Sequence, residues 1–232
     1  DIIKHYQGFQ GMKGQEDILA RMQDQIQTQE SHQQIVFLET NNRLKGLQFL
    51  SPLYDFIAKK EPIVVDYHSF KSSRDTRFYL SPYALCEFNN RWFLLAYSKK
   101  MKNIQTVALD RILAVSKDEA HEYQENTFCN MEEYLSEMVG ITRDLHTKPE
   151  RVLIRIDAEN APYAITKPLH QSQQTEKTEE DGSVIISLNV IINFELEHKI
   201  LGFGSHMEVL SPRLLRHRVA QQMIVGATKY QK

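Results

Sequence analysis

The chain has 232 residues, of which 41% are hydrophobic, 9% aromatic and 25% charged, enough to bury a core in one large or two small domains and too apolar for a disordered chain. Its 28 basic and 30 acidic side chains leave a net charge of −2, which excludes a globally basic polyanion binder and makes any basic surface local. Cys86 and Cys129 are too few for a disulfide framework and lack metal-ligand spacing. No run approaches the ~18 apolar residues of a membrane span, and no signal peptide opens the chain, so the expected compartment is reducing.

Residues Gly14 to Gln33 read as a helix, with Ile18, Leu19, Met22 and Ile26 on one stripe that needs a partner surface. Ile35 to Leu38 reads as a strand, and Asn41-Asn42 as a turn. Ser51-Pro52 opens a helix to about Lys60, with Ser51 as N-cap, Pro52 at the first helical position and Leu53, Phe56 and Ile57 inward. The period then becomes alternating. Ile63 to Tyr67, Arg77 to Phe88, Arg91 to Ser98, Ile104 to Leu109 and Ile112 to Val115 read as strands, with Asn89-Asn90 a tight hairpin turn. Short strands joined by tight turns predict a small, strongly bent antiparallel barrel. Asn130 to Met138 reads as a short acidic helix that closes this unit.

The boundary falls near Thr142 to Pro149, where charge and period both change. Beyond it, Val152, Ile154 and Ile156 alternate in a strand, Ala161 to Thr166 reads as a helix, and Gln171 to Glu180 is polar. Asp181-Gly182 turns into a strand over Val184 to Ile192. Glu195 to Phe203 reads as a helix ended by Gly202 or Gly204, and Glu208 to Leu210 as a short strand. Ser211-Pro212 repeats the cap-plus-proline device and opens a last helix with Leu215, Val219 and Met223 inward. The order fits a small α+β sandwich with its own core.

Charge is segregated along the chain. From His68 to Ile112, eight basic residues (Lys71, Arg74, Arg77, Arg91, Lys99, Lys100, Lys102, Arg111) face three acids. From Val115 to His146 the balance reverses, two basic to eight acidic, and from Ser211 to Lys232 there are five basic residues and no acid. Tyr67-His68-Ser69-Phe70, Tyr79-Leu80-Ser81-Pro82-Tyr83 and Arg91-Trp92-Phe93 set rings beside cations and hydroxyls in the first of these segments. Small barrels that bind nucleotides or single strands use that combination, and alternating aromatics in a barrel are also simply core, which is the simpler account of Trp92 and Tyr67. No nucleotide-loop, zinc-protease or nucleophile-elbow motif is present. Gly202-Phe203-Gly204 reads as a helix end, Glu195 and His198 as a solvated helix face, and Cys86 as a buried hydrophobe, so neither an enzyme, a metal site nor a cofactor is expected.

Asn90-Arg91-Trp92-Phe93-Leu94-Leu95-Ala96-Tyr97 resembles the Trp-Tyr-Leu signature of WYL-domain proteins, with Phe93 in place of the Tyr. Val65-Asp66-Tyr67, Ser81-Pro82-Tyr83 and Ala108-Leu109-Asp110-Arg111-Ile112 flank it in the family's order. Val152 to Asp157, His170-Gln171-Ser172, Asp181-Gly182, Leu201-Gly202-Phe203-Gly204 and Glu208-Val209-Leu210-Ser211-Pro212 resemble the C-terminal extension of these proteins, so the likeness spans roughly Leu50 to Tyr230. The resemblance implies an α+β chain: a helical connector (1–49), an Sm-like antiparallel β-barrel (50–145) and a ferredoxin-like extension (146–232). It implies a bacterial, cytoplasmic, often dimeric transcriptional regulator with a helix-turn-helix N-terminal to the WYL domain. Because the chain starts at Asp1 and not Met, we read it as part of something longer, with that DNA-binding head outside it.

By the same resemblance, the sensing site draws on Tyr67 and Ser69, with His68 between them, and on Arg91 and Arg111. Val107-Ala108 stands where many members carry Phe-Arg, which removes one phosphate-binding cation. Stacking is assigned to Tyr67, and Arg111 has a competing role in pairing with a carboxylate across the barrel. The expected function is nucleotide or single-strand sensing that controls operator binding, in a homodimer. The alternative is a dimerisation and protein-interaction module without a small ligand, and a nucleotide-acting enzyme ranks third.

Overall fold

Gly46 sets the entry to the fold. Its φ of +87° is open to glycine at little cost, and a Cβ there would lie 2.3 Å from the carbonyl oxygen of Leu109. The chain turns at this point into a 3-10 turn, Leu47–Phe49, and helix α1, Leu50–Lys59. In this computed structural model the described residues are 45–70, 72–143 and 147–231. The helix, strand and turn read within Gly14–Asn42, including the Ile18, Leu19, Met22, Ile26 stripe, lie outside them. Ser51 is not the cap of α1. Phe49 occupies that position because the 3-10 turn already starts the winding, and Ser51 and Pro52 fall in the first turn, where a missing N–H costs nothing. Leu53 is fully buried, and Phe56 and Ile57 pack beside it.

Five strands follow: β1 (Ile63–Tyr67), β2 (Thr76–Phe88), β3 (Arg91–Ser98), β4 (Asn103–Ala108) and β5 (Ile112–Lys117). They form one antiparallel sheet in the order β4-β3-β2-β1-β5. The long β2 serves two neighbours: Thr76–Leu80 pairs with β1, and Ser81–Phe88 with β3. A register shift between Pro82 and Ala84, just inside the half that pairs with β3, bends the strand where proline has no N–H to give the ladder. Asn89 and Asn90 both take positive φ (50° and 57°), which makes the tight β2–β3 hairpin. The sequence predicts a barrel, but among the described residues no ladder joins β4 to β5. The 3-10 turn Leu109–Arg111 occupies the residues between them, and both remain edges of an open sheet. One face buries Ile63, Val65, Leu80, Leu94, Ala96, Val107 and Leu109 against α1, each large aliphatic contributing roughly 1.5–3 kcal/mol.

Residues 118–130 then cross the outer face of β2 without regular structure, held by side chains. Gln124 N donates to Ser81 Oγ (2.8 Å), Tyr83 Oη to the Gln124 carbonyl (2.8 Å), and Tyr123 Oη to that of Pro82 (3.0 Å). Helix α2 (Met131–Ser136) is capped by Asn130, whose side chain accepts from Glu132 N and Glu133 N.

The C-terminal part runs β6 (Glu150–Ile156), α3 (Ala161–Thr166), β7 (Gln174–Thr178), β8 (Val184–Val190), α4 (Phe194–Gly202), β9 (Met207–Ser211) and α5 (Arg213–Thr228). Its antiparallel sheet has the order β7-β8-β6-β9. Val152, Ile154, Ile156, Ile186 and Leu188 meet Leu196 and Ile200 of α4 and Leu215 and Val219 of α5 in a second core. Strand β7 is absent from the expected elements because all five of its side chains are exposed, so it carries no alternation. At α5, Pro212 itself is the N-cap, in place of Ser211. The two sheets belong to one compact unit, Asn42–Lys232. Ile191 N donates to the Glu137 carbonyl (2.7 Å), and buried Asn193 donates from Nδ2 to the carbonyls of Val139 and Thr142 (both 2.8 Å).

Candidate ligand-binding site

Strand pairing gathers all five expected residues at one end of the first sheet. Tyr67 ends β1 opposite Ile112, and His68 N donates to the Arg111 carbonyl (3.0 Å), so the turn after β1 lies against the Leu109–Arg111 turn. Arg91 begins β3, two residues before the Phe93–Ala108 pair that ends the β3–β4 ladder. Its Nε lies 3.3 Å from Oδ2 of Asp110.

The side chains divide differently from the expectation. Tyr67 is 9% exposed and packs against Phe78 at 5.6 Å, in phase with the inward Ile63 and Val65. It is a core residue, and the exposed ring of this turn is Phe70, which is 69% exposed. The Arg111 guanidinium lies over the Phe70 ring at 4.3 Å. The carboxylate pairing expected for Arg111 is made by Arg91. The Nε of Arg111 is buried and has no hydrogen-bond partner among the described residues, and the same is true of Oδ1 of Asp110. Both atoms are buried, so what the turn presents outward is the Arg111 guanidinium stacked on the exposed Phe70 ring. His68 is exposed and its Nδ1 donates to Oδ1 of Asp75 (2.7 Å). The Ser69 carbonyl accepts from Ser72 N (3.1 Å), which closes the turn. Val107 and Ala108, at the place of the family's Phe-Arg, are buried in the sheet's core or beside it.

Electrostatically the site is mixed. Asp110 offsets Arg91 and Asp75 faces His68, which leaves Arg111 as the cation of the five that forms no ion pair among the described residues. Arg77, one strand over, is committed to Asp66 through two bonds of 2.7 and 3.0 Å.

The other reactive side chains are occupied by structure. Burial pushes the Cys86 thiol up to about 11 and raises that of Cys129. Glu195 Oε1 accepts from Thr142 Oγ1 (2.6 Å), and the His198 ring lies on Phe194 at 3.8 Å. Among the described residues no three His, Cys, Asp or Glu side chains are grouped to hold a metal, and no helix is long and apolar enough to cross a membrane. Phe70 and Asp110 are the residues that sequence reasoning did not assign. Counting alternate positions from Ile63 turns Tyr67 inward, which would have moved the exposed ring to Phe70.

The model of the WYL domain matches residues 48–116, and the model of the WCX domain matches residues 148–223. No curated protein matches the chain. Among solved structures it is similar to the proteasome accessory factor B/C (PafBC) of Arthrobacter aurescens, at 14% identity and a TM-score of 0.35, over 85% of this chain and 29% of that one. It is also similar to a CRISPR Cas-related protein at 12% identity and a TM-score of 0.50, over 78% of this chain and 50% of that one. The chain thus spans half or less of the length of these structures. The paired matches in this order identify the chain as a member of the WYL-domain family, with a WYL domain followed by a WCX domain.

Proposed function

We propose that this chain is the ligand-sensing and dimerisation part of a bacterial transcriptional regulator that works by binding and not by catalysis in the cytoplasm. In this reading a nucleotide or single-stranded nucleic acid occupies the end of the WYL sheet and shifts the population of two arrangements. A helix-turn-helix elsewhere in the protein thereby gains or loses affinity for its operator. The observation that carries the reading is the exposed Phe70 ring with the Arg111 guanidinium on its face, next in the chain to Asp110, which engages Arg91. Stacking on such a ring contributes about 1–3 kcal/mol per base, and the arginines add a salt-sensitive phosphate term.

The bent five-stranded sheet, in the order β4-β3-β2-β1-β5, supports an Sm-like WYL fold with open edges. The β-α-β-β-α-β sequence with strand order β7-β8-β6-β9 supports a ferredoxin-like WCX unit. Homodimerisation is supported by exposed Leu214, Ile224 and Val225 on α5, outside the core stripe of Leu215 and Val219. A thermal-shift screen of mononucleotides and short single strands tests the reading. Native-state binding raises the melting temperature by an amount set by concentration over Kd, whereas a pure interaction module shows no shift with any of them.

A further inference from the structure

We propose that the WYL domain has a second ligand site, a cleft on the outer face of its sheet that takes a flat ring carrying one phosphate, of mononucleotide size. It shares no residue with the Tyr67, His68, Ser69, Arg91 and Arg111 group. Along β2, Phe78 and Leu80 turn inward while Arg77 and Tyr79 are exposed on the opposite side. The 118–128 segment crosses that side, with Asp118 N anchored on the Pro62 carbonyl (2.9 Å) and the Phe128 ring stacked on Tyr97 (4.6 Å, 16°). Between this segment and the β3–β4 hairpin lies a cleft of 260 Å³. That volume is just below the ~300–1,000 Å³ of drug-sized sites, which suits one nucleotide and not a strand.

The cleft is built from fixed parts. Asp118, whose side chain is 3% exposed, accepts from the backbone N–H of Ala120 (2.9 Å) and His121 (3.2 Å) and from His121 Nδ1 (2.8 Å). That carboxylate sets the His121 ring and leaves its Nε2 without a hydrogen bond among the described residues. The ring stands 4.9 Å from that of Tyr79 and is tilted 52° to it, and Tyr79, itself 47% exposed, offers a face on which a flat ring can lie. Lys99 and Lys100 on the hairpin are exposed cleft residues that make no ion pair among the described residues, in contrast to Lys117 with Glu61 and Arg77 with Asp66. With Asp118 buried behind the His121 ring, the cleft's charged side chains are Arg77, Lys99 and Lys100 against Asp118 and Glu122, three basic to two acidic, so the rim is net positive and suits a phosphate.

Calorimetric titration of the 232-residue chain at low salt tests this, with adenosine monophosphate, adenosine and inorganic phosphate as separate arms. Adenosine monophosphate is expected to bind more tightly than either half alone. The Lys99→Ala/Lys100→Ala double variant, altered only on an exposed hairpin, is expected to weaken this by about tenfold, the scale of one or two charge-assisted hydrogen bonds. The Arg91→Ala/Arg111→Ala variant is expected to retain it. Absence of binding to the wild type, equal affinity for inorganic phosphate, or loss confined to the arginine variant would each overturn the cleft assignment. Lysine-dependent binding that survives while single strands fail to bind would instead overturn the Phe70–Arg111 reading and leave the cleft standing.

Discussion

Replacing Asn193 by alanine removes three hydrogen bonds from a single buried side chain. Its Oδ1 caps α4 by accepting from Leu196 N (2.9 Å), and its Nδ2 reaches the carbonyls of Val139 and Thr142 (2.8 Å each) in the segment that joins the two domains. The lost cap costs about 1 kcal/mol, and each carbonyl left without its donor about 1 kcal/mol more, for a total near 3 kcal/mol. Asn193→Ser keeps a capping oxygen and loses both donors, so it is expected to cost about 2 kcal/mol. For a unit of this size a loss of 3 kcal/mol lowers Tm by roughly 6–12 °C. Urea unfolding followed both by far-ultraviolet circular dichroism and by the fluorescence of Trp92, the one tryptophan in the chain, measures the cost. Trp92 packs against the first core whereas Asn193 stands beside the second, so coincident transitions would show that the segment couples them. A loss below about 1 kcal/mol for Asn193→Ala would refute the reasoning that this amide ties α4 to the linking segment.

Gly46→Ala is expected to cost 2 kcal/mol or more, roughly, because it forces an L-residue to a φ of +87° with its Cβ 2.3 Å from the Leu109 carbonyl. It also displaces the Leu109–Arg111 turn, and an unchanged urea midpoint together with unmoved Arg111 resonances would contradict this. His206 and Asp157 form an exposed pair at 2.5 Å, in which the carboxylate raises the imidazole and the imidazole lowers the carboxyl. The histidine's contribution to stability is full below its unfolded pKa of about 6.5 and is lost as pH rises through its higher folded value. The aspartate's contribution is present above about 3.9 and is lost as pH falls through its lower folded value. The Tm difference between wild type and His206→Ala is therefore expected to be greatest between about pH 4 and 6.5 and to shrink above that window; a difference that grows toward pH 8 would refute it.

Much of the first sheet is legible in the sequence because its strands alternate against one core. Ile63, Val65 and Tyr67 keep the period of two, and Asn89-Asn90 can take the positive φ its turn requires. What escapes has physical reasons. Strand β7 is all exposed and pairs only at an edge, so no burial pattern marks it. The 118–130 segment is held by Tyr83, Tyr123 and Gln124 through bonds to residues some forty positions away, which no local pattern encodes. At the candidate site the segments that the sequence singled out do lie together, and Tyr67 takes the core place that was its simpler account. The exposed ring there is Phe70, and a carboxylate pair of the kind raised for Arg111 is made by Arg91 with Asp110.

The most direct test of the sensing role is a fluorescence titration of a labelled single-stranded oligonucleotide against the wild type, Arg91→Ala, Arg111→Ala and Phe70→Ala at two salt concentrations. The account predicts binding that weakens with salt and falls by about tenfold or more for Arg111→Ala and Phe70→Ala, since each removes a contact of roughly 1–3 kcal/mol. Arg91→Ala is expected to lose less, because Asp110 already engages that guanidinium. Equal affinity for all four proteins, or no binding even at low salt, would contradict the assignment and leave the domain as an interaction module.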